Sequence, residues 1–301
     1  MTAKTYPSPA AFKMALEQRL RQRLQSSSAS TNLVRARQLL VFDRFLARMS
    51  KCFGDTAVLK GGLALELRLG RARTTKDVDL CLEGSPRGVL TALQEAGRLK
   101  LGDYMTFEVQ PHSRWPAIQN SGMKYDGLRF QAKCMLGGQI YGNLFGVDVA
   151  FADPILGDPE EIVADDVLGF IGVEPPKLRI YPIETHVAEK LHAYTTSREP
   201  PNSRVKDLPD LALLAMVGEL DALRVRRAID QTFAFRATHP VPATFPAPPE
   251  GWQKPYEALA REDSLQWKTL ADVARVASDF VAPLLAGGLT ATWDPESWSW
   301  Q

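Results

Sequence analysis

Cysteine is scarce in this chain of 301 residues, and its placement excludes more than its number does. Cys52, Cys81 and Cys134 are odd in count, widely spaced and form no CxxC pair, which argues against a disulfide framework or a cysteine-ligated zinc site. They are expected to be buried thiols. Histidine is equally sparse: His186 and His192 stand six residues apart, His112 and His239 stand alone, and no HExxH occurs, so a histidine-ligated zinc centre has no support either. Long apolar runs are missing. "LALLAM" and "FVAPLLA" fall far short of the roughly 20 residues of a membrane span, and the N-terminus lacks an apolar signal core. The expectation is a cytoplasmic protein with no membrane partner. A net charge of +1 argues against a uniformly basic coat.

The charge that is present is unevenly distributed. Residues 1–50 hold nine Lys or Arg (Lys4, Lys13, Arg19, Arg21, Arg23, Arg35, Arg37, Arg44, Arg48) against Glu17 and Asp43. Such a segment can contact phosphates or simply form a solvated helix face. Helical spacing covers residues 8–25 and 31–50, separated by "QSSSAS". Strand-like runs follow, "TAVL", "DVDLCLE", "LRFQAKCML" and "FGVDVAF", interleaved with helical "PRGVLTALQEAG". From about Thr185 the pattern is helical: "THVAEKLHAYTT", "LPDLALLAMVGEL", "DALRVRRAIDQTF" and "SLQWKTLADVARVASDFVAPLLA". The fold class expected is α+β: N-terminal helices and a small mixed sheet over residues 1–180, then an all-helical domain over residues 181–301.

Within "DVDLCLE" alternate side chains face opposite ways, so Val78, Leu80 and Leu82 are core while Asp77 and Asp79 share the other face, about 7 Å apart along the strand. Carboxylates that close repel unless a cation joins them, and Mg²⁺ favours such oxygen ligands together with waters and substrate phosphates. "FGVDVAF" repeats the arrangement around Asp148, which converges on the pair if the strands are neighbours. Gly61–Gly62 supplies a turn at which backbone N–H groups can approach phosphates closely, or a plain tight turn.

Together, "LKGGLALELRLGRARTTKDVDL", "HVAEKLHAY" and "RVKDLPDL" resemble the motifs of the DNA polymerase β-like nucleotidyltransferases. Within them the resemblance is to the AbiEii/AbiGii toxin family of type IV toxin–antitoxin systems, which includes the mycobacterial MenT enzymes. It covers about residues 35–82 and 181–215, with four motifs in matching order and spacing. It implies a helix after the glycine turn, where "LALELRL" alternates like a strand. It further implies that Asp77 and Asp79 hold Mg²⁺ against nucleotide phosphates, that Thr75 helps to hold phosphates, and that Lys190 pairs with them across a domain cleft.

Lys190 also stands out by itself, because Ile183, Val187, Lys190, Leu191 and Tyr194 form one apolar stripe in which a lysine must snorkel outward or meet an anion. Asp207 reads as an N-cap with Asp210 as its capping partner; the resemblance makes Asp207 catalytic or substrate-orienting and leaves Asp210 structural. Arg73, Arg204 and Lys206, with Arg68 and Arg71, are candidates for phosphate contacts or for surface charge. The function implied is a Mg²⁺-dependent nucleotidyltransferase toxin that adds nucleotides from an NTP to the 3′ end of tRNA and blocks translation, with a cognate antitoxin encoded nearby. The alternatives are a protein or small-molecule acceptor, or a catalytically silent nucleotide-binding protein.

Overall fold

The computed structural model describes residues 5–26, 32–70, 74–118, 127–151, 153–197 and 204–301. Two helices lead, α1 (Pro9–Ser26) and α2 (Leu33–Phe53), the second opened by Asn32, whose side chain accepts from the Arg35 N–H at 2.8 Å. Strand β1 (Ala57–Lys60) runs directly into α3 (Gly61–Leu69), so "LALELRL" is helical, as the family resemblance implies. Next come β2 (Asp77–Leu82), α4 (Val89–Arg98), β3 (Met105–Pro111), β4 (Ala117–Ile118) and the hairpin of β5 (Gly127–Leu136) and β6 (Gln139–Phe151). Two short strands, β7 (Glu160–Val163) and β8 (Lys177–Ile180), complete a mixed sheet in the order β3-β5-β6-β2-β1-β8-β7, with β4 beside β5.

The helical part consists of α5 (Ile183–Thr195), α6 (Asp207–Leu214), α7 (Ala222–Arg236), α8 (Gln253–Glu262) and α9 (Leu270–Ala286). It is not wholly helical. Strands β9 (Leu220–Asp221), β10 (Thr292–Asp294) and β11 (Ser299–Trp300) form a small antiparallel sheet, where Trp293 and Trp300 pack against Phe280. Buried apolar side chains form one large cluster between Phe12 and Ile180 and another between Ile183 and Trp293, the latter also taking Leu65 from α3. In the first, Phe42 and Phe45 of α2 meet Phe145 of β6 edge-on, at 5.2 and 5.3 Å between ring centres. Cys81 and Cys134 are buried thiols as expected, whereas Cys52, near the end of α2, is exposed.

The N-terminal basic residues are largely paired inside the molecule. Arg37 grips Glu17 at 2.8 and 2.7 Å, Arg35 binds Glu66, Arg23 reaches Asp165, and buried Arg44 and Arg48 converge on Asp103. Burial alone would raise the Asp103 pKa, but the two guanidiniums hold it below the usual carboxylate value. The phosphate-binding reading of this segment therefore loses most of its cations, because their charge is already neutralised by carboxylates. Arg68 is likewise structural: its guanidinium binds Glu160 and the Tyr181 carbonyl.

Candidate nucleotide-binding cleft

A cleft of about 340 Å³ opens where the carboxylate face of the sheet meets α5 and the segment leading into α6. It is lined by Gly61, Gly62, Thr75, Asp77, Asp79, Asp148, Lys190, Arg204 and Lys206, so residues far apart in sequence meet in one place. Asp207 lies behind this lining, fully buried, and Arg73 lies outside the described residues.

Register explains the carboxylates. β2 and β6 pair in parallel with Asp79 opposite Asp148, and the two strands bury Val78, Leu80, Leu82, Val147 and Val149 on the other face. Asp79 sits at the floor, where burial first and the charge of Asp148 second raise its pKa to about 6, against the opposing pull of Lys60 and Lys190. Two glycines make room for these side chains. Gly61 has φ +67°, and a Cβ there would overlap the Asp79 carboxylate; one at Gly146 would come within 2.5 Å of Asp77 Oδ1, which instead accepts the Gly146 N–H at 3.2 Å. Gly61 and Gly62 also form the first turn of α3, where N–H groups without an intrahelical partner point out of the helix N-terminus beside the carboxylates. Thr75 is buried at the rim, its hydroxyl 3.4 Å from the Asp77 carbonyl and its own carbonyl bound by Arg35 at 2.7 Å.

The opposite wall sets two cations against two buried carboxylates. Lys190 Nζ stands 3.1 Å from Asp207 and 2.6 Å from Asp210, both fully buried, while Arg204 Nε binds Asp207 at 2.6 Å. Asp207 is thus not an N-cap and Asp210 not a capping partner: Lys206 occupies the cap position of α6 without a side-chain cap, and both carboxylates turn to the lysine. Exposed Lys206 adds a further cation at the wall.

Four charged lining residues escape a reading of the sequence: Lys60, Asp153, Glu189 and Arg236. They form a closed ring of alternating charge. Lys60 binds Asp153 and lies 3.7 Å from Glu189, and Arg236 lies 3.3 Å from Asp153 and 3.1 Å from Glu189. Burial disfavours the Lys60 ammonium, yet Glu189 and Asp153 override it and hold the pKa above the ordinary lysine value. Lys60 precedes Gly61 and Glu189 precedes Lys190, so a sequence signal existed only in that adjacency.

A divalent ion fits the carboxylate side of this cleft. Among the described residues no three His, Cys, Asp or Glu side chains form a metal site by themselves. Mg²⁺ commonly needs only one or two carboxylates, with waters and substrate phosphates completing its shell, and the crowding of negative charge around Asp79 favours a cation there.

Known proteins share the family and the fold of this chain. The family described as nucleotidyl transferase AbiEii toxin, type IV TA system, matches residues 44–279. The fold is similar to that of MenT4, a nucleotidyltransferase toxin from Mycobacterium tuberculosis H37Rv, at 20% identity and a TM-score of 0.52 over 74% of this chain and 70% of that one. Weaker similarity links it to JHP933 from Helicobacter pylori, with 14% identity, a TM-score of 0.45 and coverage of 85% and 93%. Another is ANT(2")-Ia in complex with adenylyl-2"-tobramycin, with 20% identity, a TM-score of 0.34 and coverage of 66% and 97%. No curated protein matches the chain.

Proposed function

This chain belongs to the AbiEii family of nucleotidyl transferase toxins, and from that membership we propose that it moves nucleotides from an NTP onto the 3′ end of tRNA, with Mg²⁺, and so blocks translation. One observation carries the reading: the N-terminus of α3, the Asp77–Asp79 pair and the Lys190 wall face a single cleft of nucleotide-sized volume. Residues 1–180 act as the nucleotidyltransferase part and residues 181–301 as a helical part that supplies Lys190 and Asp207. The cytoplasm as workplace and a cognate antitoxin as partner belong to the same reading.

In this mechanism the N–H groups of Gly61 and Gly62 receive the triphosphate at the positive end of α3, with the Thr75 hydroxyl beside them. Asp77 and Asp79 would hold Mg²⁺, which would supply Lewis-acid stabilisation of the phosphate charge. Lys190, Arg204 and Lys206 neutralise phosphate charge as it develops during in-line attack by the acceptor hydroxyl. Asp207 positions Lys190 and Arg204 through its two ion pairs. Arg73, outside the described residues, is assigned to the phosphates with them from its charge and place in the sequence alone.

The pairing of the N-terminal arginines favours a second reading, a small-molecule or protein acceptor, since such an acceptor needs no phosphate-tracking surface. The deciding experiment incubates the protein with total tRNA, Mg²⁺ and each α-labelled NTP in turn, beside Asp79→Ala. Label entering tRNA from one NTP and lost in the variant supports the tRNA reading. Saturable NTP binding with no labelled tRNA overturns it in favour of the other acceptors.

A further inference from the structure

Sheet register sets four side chains in one row across four strands: Lys60 is opposite Asp79, Asp79 opposite Asp148, and Asp148 opposite Arg129. Directly opposed residues project from the same face, so the row reads cation, carboxylate, carboxylate, cation. The two cations behave differently. Lys60 turns away to Asp153 and Glu189, whereas Arg129 closes on its neighbour, with Nε 2.7 Å from Oδ1 and Nη2 2.6 Å from Oδ2 of Asp148. Both oxygens accept in the fork geometry that makes arginine–carboxylate pairs strong and directional.

We propose that Arg129 is a built-in counter-ion that withholds Asp148 from the metal, leaving Asp77 and Asp79 as the protein's two ligands. The inference rests on the nucleotidyltransferase reading above and changes the role that the sequence suggests for Asp148. A carboxylate whose two oxygens face a guanidinium offers a metal few lone pairs. Freed of Arg129, the three carboxylates would form a cluster able to capture a divalent cation before any nucleotide arrives. With Arg129 in place, the metal enters together with the triphosphate, whose oxygens supply the missing ligands. The Arg129 side chain is 37% exposed and Asp148 20%, so the arginine can rotate into solvent without disturbing the core.

The test is Mn²⁺ binding to the full chain, read by the loss of the free-ion electron paramagnetic resonance signal, with and without a non-hydrolysable NTP analogue. Without nucleotide, Arg129→Gln is expected to bind Mn²⁺ on the order of tenfold more tightly than wild type, the scale of other outer-shell effects on metal affinity. The gain should vanish in Arg129→Gln/Asp148→Asn. Arg129→Lys should lie between, because an ammonium cannot grip both oxygens, and it carries the comparison if the glutamine variant fails to fold. An Arg129→Gln affinity equal to wild type, or a gain that survives Asp148→Asn, overturns the proposal. If wild type still captures Mn²⁺ with the analogue and Asp79→Asn abolishes this, only the counter-ion role has failed. Mn²⁺ uptake by no variant under any condition overturns both the counter-ion role and the metal-dependent reading.

Discussion

Lys190 is the residue whose two duties most need separating. Its ammonium and the Arg204 guanidinium together balance Asp207 and Asp210, both buried, so Lys190→Met leaves a buried carboxylate uncompensated and is expected to cost about 3–5 kcal/mol of stability. Adding Asp210→Asn removes one of those charges and should restore much of the melting temperature. Nucleotide transfer should stay absent. A double variant that regains activity with its stability would show that the lysine serves structure alone. Asp43 supplies a residue-scale prediction outside the cleft. Burial, then the charge of Asp165, raises its pKa to about 8, beside Arg44, whose guanidinium is bound to Asp103. Folded protein therefore keeps a proton that the unfolded chain loses near pH 4, so stability is full below that pH and falls as pH rises toward 8. Asp43→Asn should remove this slope, raising stability at pH 8 by on the order of 2–5 kcal/mol and changing little at pH 4, as read by denaturant unfolding at both pH values. The stripe that exposed Lys190 in the sequence exists because a helix repeats every 3.6 residues. Nothing comparable marks Asp43, whose burial arises from contacts with distant segments.

At the scale of elements, the strand bearing Asp77 and Asp79 was legible because alternation and chemistry coincide in six residues. The neighbouring strand was legible for the same reason, but its register was not, and register decides that Asp148 faces Asp79 and Arg129 rather than solvent. Strands β7 and β8, four residues each, are too short for a period to register, and α6 stops at Leu214 where an apolar run suggested a longer helix. Gly146 tests the element argument. It lies in extended β6, where alanine is acceptable to the backbone, yet a Cβ would press on Asp77 Oδ1. Gly146→Ala should leave the melting temperature within a few degrees of wild type while lowering transfer activity by roughly tenfold to a hundredfold, because small displacements of positioning groups are costly. Equal activity would mean that the Asp77 position is not critical.

Across the whole molecule, the sheet and the helical part are joined at the cleft by the ring of Lys60, Asp153, Arg236 and Glu189. Its members come from β1, from just beyond β6, and from α7 and α5, so no local window of sequence could reveal it. The ring sits next in the chain to Gly61 on one side and to Lys190 on the other, which ties the two halves of the proposed phosphate site to one another. Arg236→Met leaves an excess buried negative charge and is expected to destabilise by about 2–4 kcal/mol. Glu189→Gln added to it restores neutrality with the Lys60–Asp153 pair intact, and most of the stability should return. If the ring also sets the distance between the α3 turn and Lys190, the double variant will still bind NTP more weakly than wild type, by about tenfold in a calorimetric titration. Recovery of both stability and nucleotide affinity would confine the ring to holding the fold together.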